Sequence, residues 1–372
     1  MHDIVHDLAM FISGEFCFEL NDSNDLSYLP TKACHLSIST KGSNVSTKIM
    51  KVLTSQTRSL RTFLLLSQWY LLEKSLLHDL FLKVGGSLRV LSLSNLHQEM
   101  KLPDSIGNMK YLRYLDLSQT SIEELPDSIC TLYNLETLLL SACGGLERLP
   151  TRLVALVNLR HLNIKATYRI KDMPLQMYKL KNLQTLSDFV LGENGGWKIK
   201  ELGELPLLGG SLLISGLEYI TDIKDVLEAN LKDKKFLSQL ILKWNEKSNI
   251  TSSQQEREVL AALQPHTNLK QLRISGYIGT IFLDWVGHDS FCNMVLVDLH
   301  FCINVCRLPP LGQLYSLISV VIEGLDGVVS IGNEFCGSSS NTTNHPFTSL
   351  EYLSISHMAS WDEWSFSSDQ PS

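Results

Sequence analysis

The chain has 372 residues, 44% of them hydrophobic, enough to bury a large core rather than stay disordered. A formal net charge of −7 argues against nucleic-acid binding by general phosphate attraction. No apolar run reaches the roughly eighteen residues that cross a bilayer, and the eight cysteines are scattered rather than set at framework spacings, which predicts free thiols in a reducing compartment.

The first predicted element is a helix. In MHDIVHDLAMFI, residues Met1, Ile4, Val5, Leu8, Phe11 and Ile12 form an apolar stripe, with His2, Asp3, His6 and Asp7 opposite and Ser13-Gly14 ending it. Two histidines four apart resemble a metal pair, but the further ligand and the catalytic carboxylate of H-E-x-x-H motifs are missing. The segment carries acids early and no basic region, so it does not read as a secretory signal. The sequons at Asn21, Asn44, Asn249 and Asn341 then carry no weight.

Next comes a repeat. SLRVLSLSNL, YLRYLDLSQT, NLETLLLSAC and NLRHLNIKAT begin 24, 23 and 24 residues apart, and each is followed by Leu-Pro or Met-Pro at 102–103, 125–126, 149–150 and 173–174. The x-L-x-L-x core alternates, predicting a short strand with leucines inward. Thr120, Cys143 and Thr167 turn a small polar group inward after the strand, proline ends the pairing, and Asp104-Ser105 and Asp127-Ser128 are placed to cap short helical turns. One turn cannot bury its leucines alone, whereas stacked turns close a continuous core.

Fainter turns start near Ala33, Leu60, Leu183, Gly209, Leu237, Leu269, Met294, Leu317 and Leu350, for about thirteen in all. At Leu183 the third core position is Asp188, so the strand there is expected to distort or to shift to Phe189-Val190-Leu191. In the turn at Leu237, Asn245 is expected at the inward polar position. Two polar stretches, 245–258 and 337–345, read as loops leaving the array. The fold class is α/β, a leucine-rich-repeat solenoid with a parallel sheet on its concave face, short helices or irregular chain on the convex side, and a short N-terminal helical segment.

The outward strand positions form the candidate binding face: Arg89, Arg113, Tyr114, Asp116, Glu136, Arg160, His161, Lys270, Arg273 and Tyr352. Mixed charge with aromatics suits protein recognition. Enzymatic chemistry finds little support. Cys292, His300, Cys302 and Cys306 match no zinc spacing, and Cys302 occupies the inward position of its turn. GENGGWK at 192–198 lacks the G-K-[ST] of a phosphate loop, no G-x-x-x-x-G-K-[ST] occurs, and no nucleophile elbow is present. Trp361 and Trp364 of WDEW are expected to pack on the last turn.

The opening MHDIVHDLA resembles the MHD motif that closes the nucleotide-binding module of plant nucleotide-binding leucine-rich-repeat immune receptors. KACHLSI (32–38), RSLRTFLLL (58–66), LPDSIGNMKYLRYLDLS (102–118), IKELGELPLL (199–208), EANLKDKKFLSQLILKW (228–244), LPPLGQLYSL (308–317) and WDEW are similar to the repeat domain of their coiled-coil class. The resemblance implies residues 1–30 as the end of an NB-ARC module, 31–360 as the repeat domain and 361–372 as a tail. It implies His2 as the residue that approaches ADP and Asp3 as its support, which requires an upstream module; ADP or ATP is expected only in an intact parent receptor, and this chain is not expected to hydrolyse ATP by itself. It also implies a cytoplasmic recognition and autoinhibition domain. Its partners would be a pathogen effector or guarded host protein and a nucleotide-binding module in cis or trans. The alternative is a free-standing repeat adaptor or decoy.

Overall fold

The computed structural model describes residues 12–21, 32–39, 60–66, 74–97, 100–193, 198–245, 253–337 and 345–365. His2, Asp3 and the predicted helix up to Phe11 lie outside the described residues, as do 194–197, 246–252, 338–344 and the tail from 366. The chain divides into two compact units, Met1–Leu183 and Gln184–Ser372.

In the first unit the strands β1 (Cys17–Leu20), β2 (His35–Ile38), β3 (Thr62–Leu65), β4 (Val90–Ser92), β5 (Tyr114–Asp116), β6 (Thr137–Leu139) and β7 (His161–Asn163) pair in chain order, all parallel. Leu36, Phe63, Leu91, Leu115, Leu138 and Leu162 stand in one register row, and none is more than 1% exposed. Fully burying such a side chain is worth roughly 1.5–3 kcal/mol of transfer free energy, so the stacked row contributes strongly to cohesion. Strand β1 precedes the first turn read from the sequence: Phe18 pairs with Leu36 and Leu20 with Ile38, and Leu20 is fully buried.

Behind the strands the chain returns through 3-10 turns, Asp104–Asn108, Asp127–Thr131, Leu153–Ala155 and Met177–Lys179. The expected caps at the first two are not made. Pro103 and Pro126 occupy the cap positions with no side-chain bond, and Asp104 and Asp127 fall inside the first turn. Proline's fixed φ suits entry to the turn, and the acid meets the exposed amides electrostatically rather than as a cap. Among the described returns of this unit one differs: the helix α1 (Lys74–Val84) buries Leu80, Phe81 and Val84.

The second unit opens with β8 (Thr185–Leu186) and β9 (Asp188–Val190). The interruption between them, at Ser187, is the distortion expected around Asp188; the strand resumes at Asp188 rather than at Phe189, with Phe189 buried in place of a leucine. Strands β10 (Gly209–Ser215), β11 (Phe236–Lys243), β12 (Gln271–Ser275), β13 (Leu296–His300) and β14 (Ser319–Glu323) continue the parallel order from β9. A return pair, β15 (Ser330–Ile331) with β17 (Glu363–Trp364), lies apart, and β16 (Tyr352–Ser356) pairs with β14. The helix α2 (Ile223–Glu228) is capped by Asp222, whose carboxylate accepts from the Lys224 amide at 2.9 Å. Within the polar stretch read as a loop the helix α3 (Ser253–Ala262) begins at Ser253 and runs beyond it, burying Glu256, Val259 and Leu260. Its Leu260 carbonyl accepts from the Trp285 indole at 3.1 Å. Asn245 is exposed rather than inward; Trp244, 2% exposed, fills that turn and meets Tyr277 edge-on.

Three small devices recur from turn to turn. Thr120 Oγ1 donates to the Leu117 carbonyl at 2.7 Å, Cys143 Sγ reaches the same carbonyl at 3.1 Å, and Thr167 Oγ1 donates to Leu140 O at 2.8 Å. On the ascending side, the Asn134 amide donates to Lys110 O at 2.7 Å, Asn158 to Tyr133 O at 2.7 Å and Asn182 to Val157 O at 2.9 Å. After the strands the chain passes through left-handed backbone at Asn95, Gln119, Ala142, Ala166, Gly216, Gly276, Phe301, Gly324 and His357. Two of these residues bond through their own amides to the neighbouring turn: Gln119 N donates to Ser141 O and Phe301 N to Glu323 O, each at 2.7 Å.

Candidate protein-binding face

Alternation leaves one side of each strand for solvent, and parallel register stacks those positions into columns about 4.8 Å apart per turn. In the first unit the position just before the strands reads Arg61, Arg89, Arg113, Glu136 and Arg160, joined by amide-to-carbonyl bonds of 2.8 Å from each to the one before. All four arginines are exposed. Glu136 pairs with Arg113 at 2.7 Å and approaches Arg160 at 4.0 Å. Among the described residues, Arg61 and Arg89 have no ion pair, so the positive charge is least compensated there.

The next column places Thr62, Val90, Tyr114, Thr137 and His161 side by side, and the following one Leu64, Ser92, Asp116, Leu139 and Asn163. A cavity of about 430 Å³ opens here, lined by Leu64, Leu66, Val90, Tyr114 and Asp116. Asp116 accepts from Ser92 Oγ at 3.2 Å and from the Ser118 amide at 2.9 Å, which fixes its carboxylate. Burial first, and the Asp116 charge second, push the Tyr114 phenol above its ordinary range. A larger cleft of about 720 Å³ lies along the Leu-Pro returns, between Leu102, Leu125 and Leu149.

In the second unit the sequence-named residues do not form one patch. Arg273 is tied to the buried Asp298, its Nε donating at 2.6 Å. His300 lies between Asp298 and Glu323, and His357 reaches Glu323 at 3.4 Å. Lys270 and Tyr352 stand outside this network. Sequence reasoning missed Asp298, His300 and Glu323 as a set; their matched outward positions in Val-Asp-Leu-His and Val-Ile-Glu were the available signal. Cys302 is buried with its thiol toward the His300 carbonyl at 3.4 Å, while Cys292 and Cys306 are exposed. Trp361 and Trp364 are about two-fifths exposed and lie against each other, with Trp364 edge-on to Phe335. No helix among the described residues is long and apolar enough to cross a membrane.

Comparison with known proteins agrees with this architecture. Residues 199–325 match the family described as R13L1/DRL21 LRRs, and residues 111–132 match the Leucine Rich Repeat family. A putative disease resistance protein of Arabidopsis thaliana is 45% identical over 98% of this chain and 26% of its own length. The putative disease resistance RPP13-like protein 1 of the same plant is 40% identical over 98% of this chain and 36% of its own. Disease resistance protein RGA2 of Solanum bulbocastanum is 43% identical over 64% of the chain and 24% of its own. This chain therefore spans between a quarter and about a third of the relatives it matches. The functional domain of InlJ from Listeria monocytogenes superposes over 86% of the chain and 60% of its own with a TM-score of 0.48 at 14% identity, too distant to inform the site. Repeat architecture and the match of the two Arabidopsis relatives to 98% of its residues make the chain a homologue of the plant disease resistance proteins, carrying their leucine-rich-repeat portion.

Proposed function

We propose that the chain is the recognition and autoinhibition portion of an intracellular plant immune receptor, acting by binding rather than catalysis. On this reading the strand faces take a pathogen effector or a guarded host protein. The early turns, roughly residues 33–160, press on a nucleotide-binding module and keep it closed, with His2 and Asp3 serving that module's ADP site when it is present. The observation that best supports the reading is the column Arg61, Arg89, Arg113, Glu136 and Arg160. Exposed arginines one strand spacing apart attract an acidic surface, and Glu136 already neutralises part of the column from within.

A partner that prefers one state shifts the closed/open balance only by its difference in affinity for the two. The test is co-purification of the chain with a nucleotide-binding module of the resistance-protein class supplied in trans. Arg89→Glu with Arg113→Glu should weaken association at least ten-fold, and Glu136→Gln, which frees two arginines, should strengthen it. Association unchanged by the double reversal would remove the autoinhibitory role from these turns and favour the adaptor or decoy.

A further inference from the structure

The second unit carries a column of different chemistry. Just before its strands stand Lys270, Val295, Ile318 and Glu351. They are held in register by backbone bonds from Val295 N to Lys270 O at 2.8 Å, Ile318 N to Val295 O at 2.9 Å and Glu351 N to Ile318 O at 2.9 Å. Lys270, Ile318 and Glu351 are exposed and Val295 is half-buried. Ile318 keeps 41% of its surface open to water, and Tyr352 beside the column keeps 55%. Among the described residues neither Lys270 nor Glu351 has an ion pair. The neighbouring charges are already engaged with one another, Arg273 with Asp298 and His300 with Glu323.

The spacing selects a ligand. Three strand steps of about 4.8 Å put Lys270 and Glu351 about 14 Å apart, with Val295 and Ile318 at roughly one third and two thirds of the way. An extended peptide advances about 3.3 Å per residue and turns alternate side chains to one face, so same-face residues fall near 0, 7 and 13 Å. An acid at the first, an apolar residue at the third and a base at the fifth position meet Lys270, the gap between Val295 and Ile318, and Glu351 together. We propose that this column binds an extended protein segment of the pattern acidic–x–apolar–x–basic, laid across the turns. The inference rests on the reading of the strand faces as protein-binding, and it names the chemistry of one partner segment. The apolar contact supplies burial and the two end charges supply selection, because a like charge at either end costs affinity.

The experiment uses the full chain and three fluorescent nine-residue peptides, Gly-Gly-Glu-Thr-Leu-Thr-Arg-Gly-Gly and its versions with glutamate at both ends or arginine at both ends of the core. Because an extended peptide can lie in either direction, charge composition rather than order is varied. The mixed peptide should bind about ten-fold tighter than either single-sign version. Lys270→Glu should shift the preference to the dibasic peptide and Glu351→Lys to the diacidic one, while Ile318→Asp weakens all three. Lys270→Met and Glu351→Gln, which remove charge without reversing it, should shrink the preference to within about two-fold. Equal affinity for the three peptides, binding of none, or a ranking unmoved by the variants would overturn the proposal. These variants leave the arginine column of the first unit intact, so co-purification with the nucleotide-binding module should be unaffected. Loss of one result therefore does not decide the other.

Discussion

Lys234 is 3% exposed and spends its ammonium on two backbone carbonyls, Leu202 O at 2.6 Å and Leu205 O at 3.1 Å. Burial pulls its pKa down from 10.5 to about 8, against a smaller upward pull from Asp233. The sign follows from proton counting: between about 8 and 10.5 the unfolded chain holds a proton that the folded chain has released, so stability rises as pH climbs through that window. The gain is at most about 3 kcal/mol. Denaturation midpoints at pH 7.5 and 10 should show the rise in the parent relative to Lys234→Met; an equal pH response in both would refute it. Backbone strain gives a second residue-scale expectation. Gln119 is exposed at φ 57°, and Gly276 fills the equivalent place at φ 71°. Thermal unfolding should place Gln119→Gly above the parent by about 0.5–1 kcal/mol and Gly276→Ala below it by about 1–2 kcal/mol.

At the scale of elements, the asparagine ladder is the least obvious support. Asn134, Asn158 and Asn182 each tie the start of a turn to a carbonyl of the turn before. Replacing Asn158 by alanine should cost about 1 kcal/mol, visible in urea titration, whereas a neutral result would mean that water satisfies the Tyr133 carbonyl equally well. These asparagines are written plainly as Asn-Leu in three turns, but the same letters suit any loop, so their partner 24–25 residues back is not legible without the stacking. Strands β4 to β7 are legible because leucine triplets, an inward Thr or Cys and a Leu-Pro return agree with one another. Strand β1 is not, since Cys17–Leu20 offers only Phe18 and Leu20 without a leading leucine. Helix α3 hides for a related reason: its buried stripe of Glu256, Val259 and Leu260 includes a charged residue and follows a long polar run. Of the candidate binding face, the outward positions are legible but their grouping into columns is not, because columns are set by register between distant turns.

For the molecule as a whole, stability should be local. Stacked turns touch mainly their neighbours, so damage propagates by nearest-neighbour coupling rather than through one shared core. Leu115 is fully buried in β5, and Leu115→Ala should cost about 2–5 kcal/mol. Hydrogen exchange should quicken most in β4, β5 and β6 and least at β1 and β2; a uniform increase across the first unit would mean that it unfolds as one block.

The register that lines up Arg61, Arg89 and Arg113 also converts a long interval in the gene into one side-chain width in space. Every such turn closes its hydrogen bonds to neighbours at the same places. Unequal recombination that duplicated or lost one whole turn would therefore lengthen or shorten a column without introducing a new kind of joint. A lineage built this way can explore new binding surfaces by counting as well as by substitution.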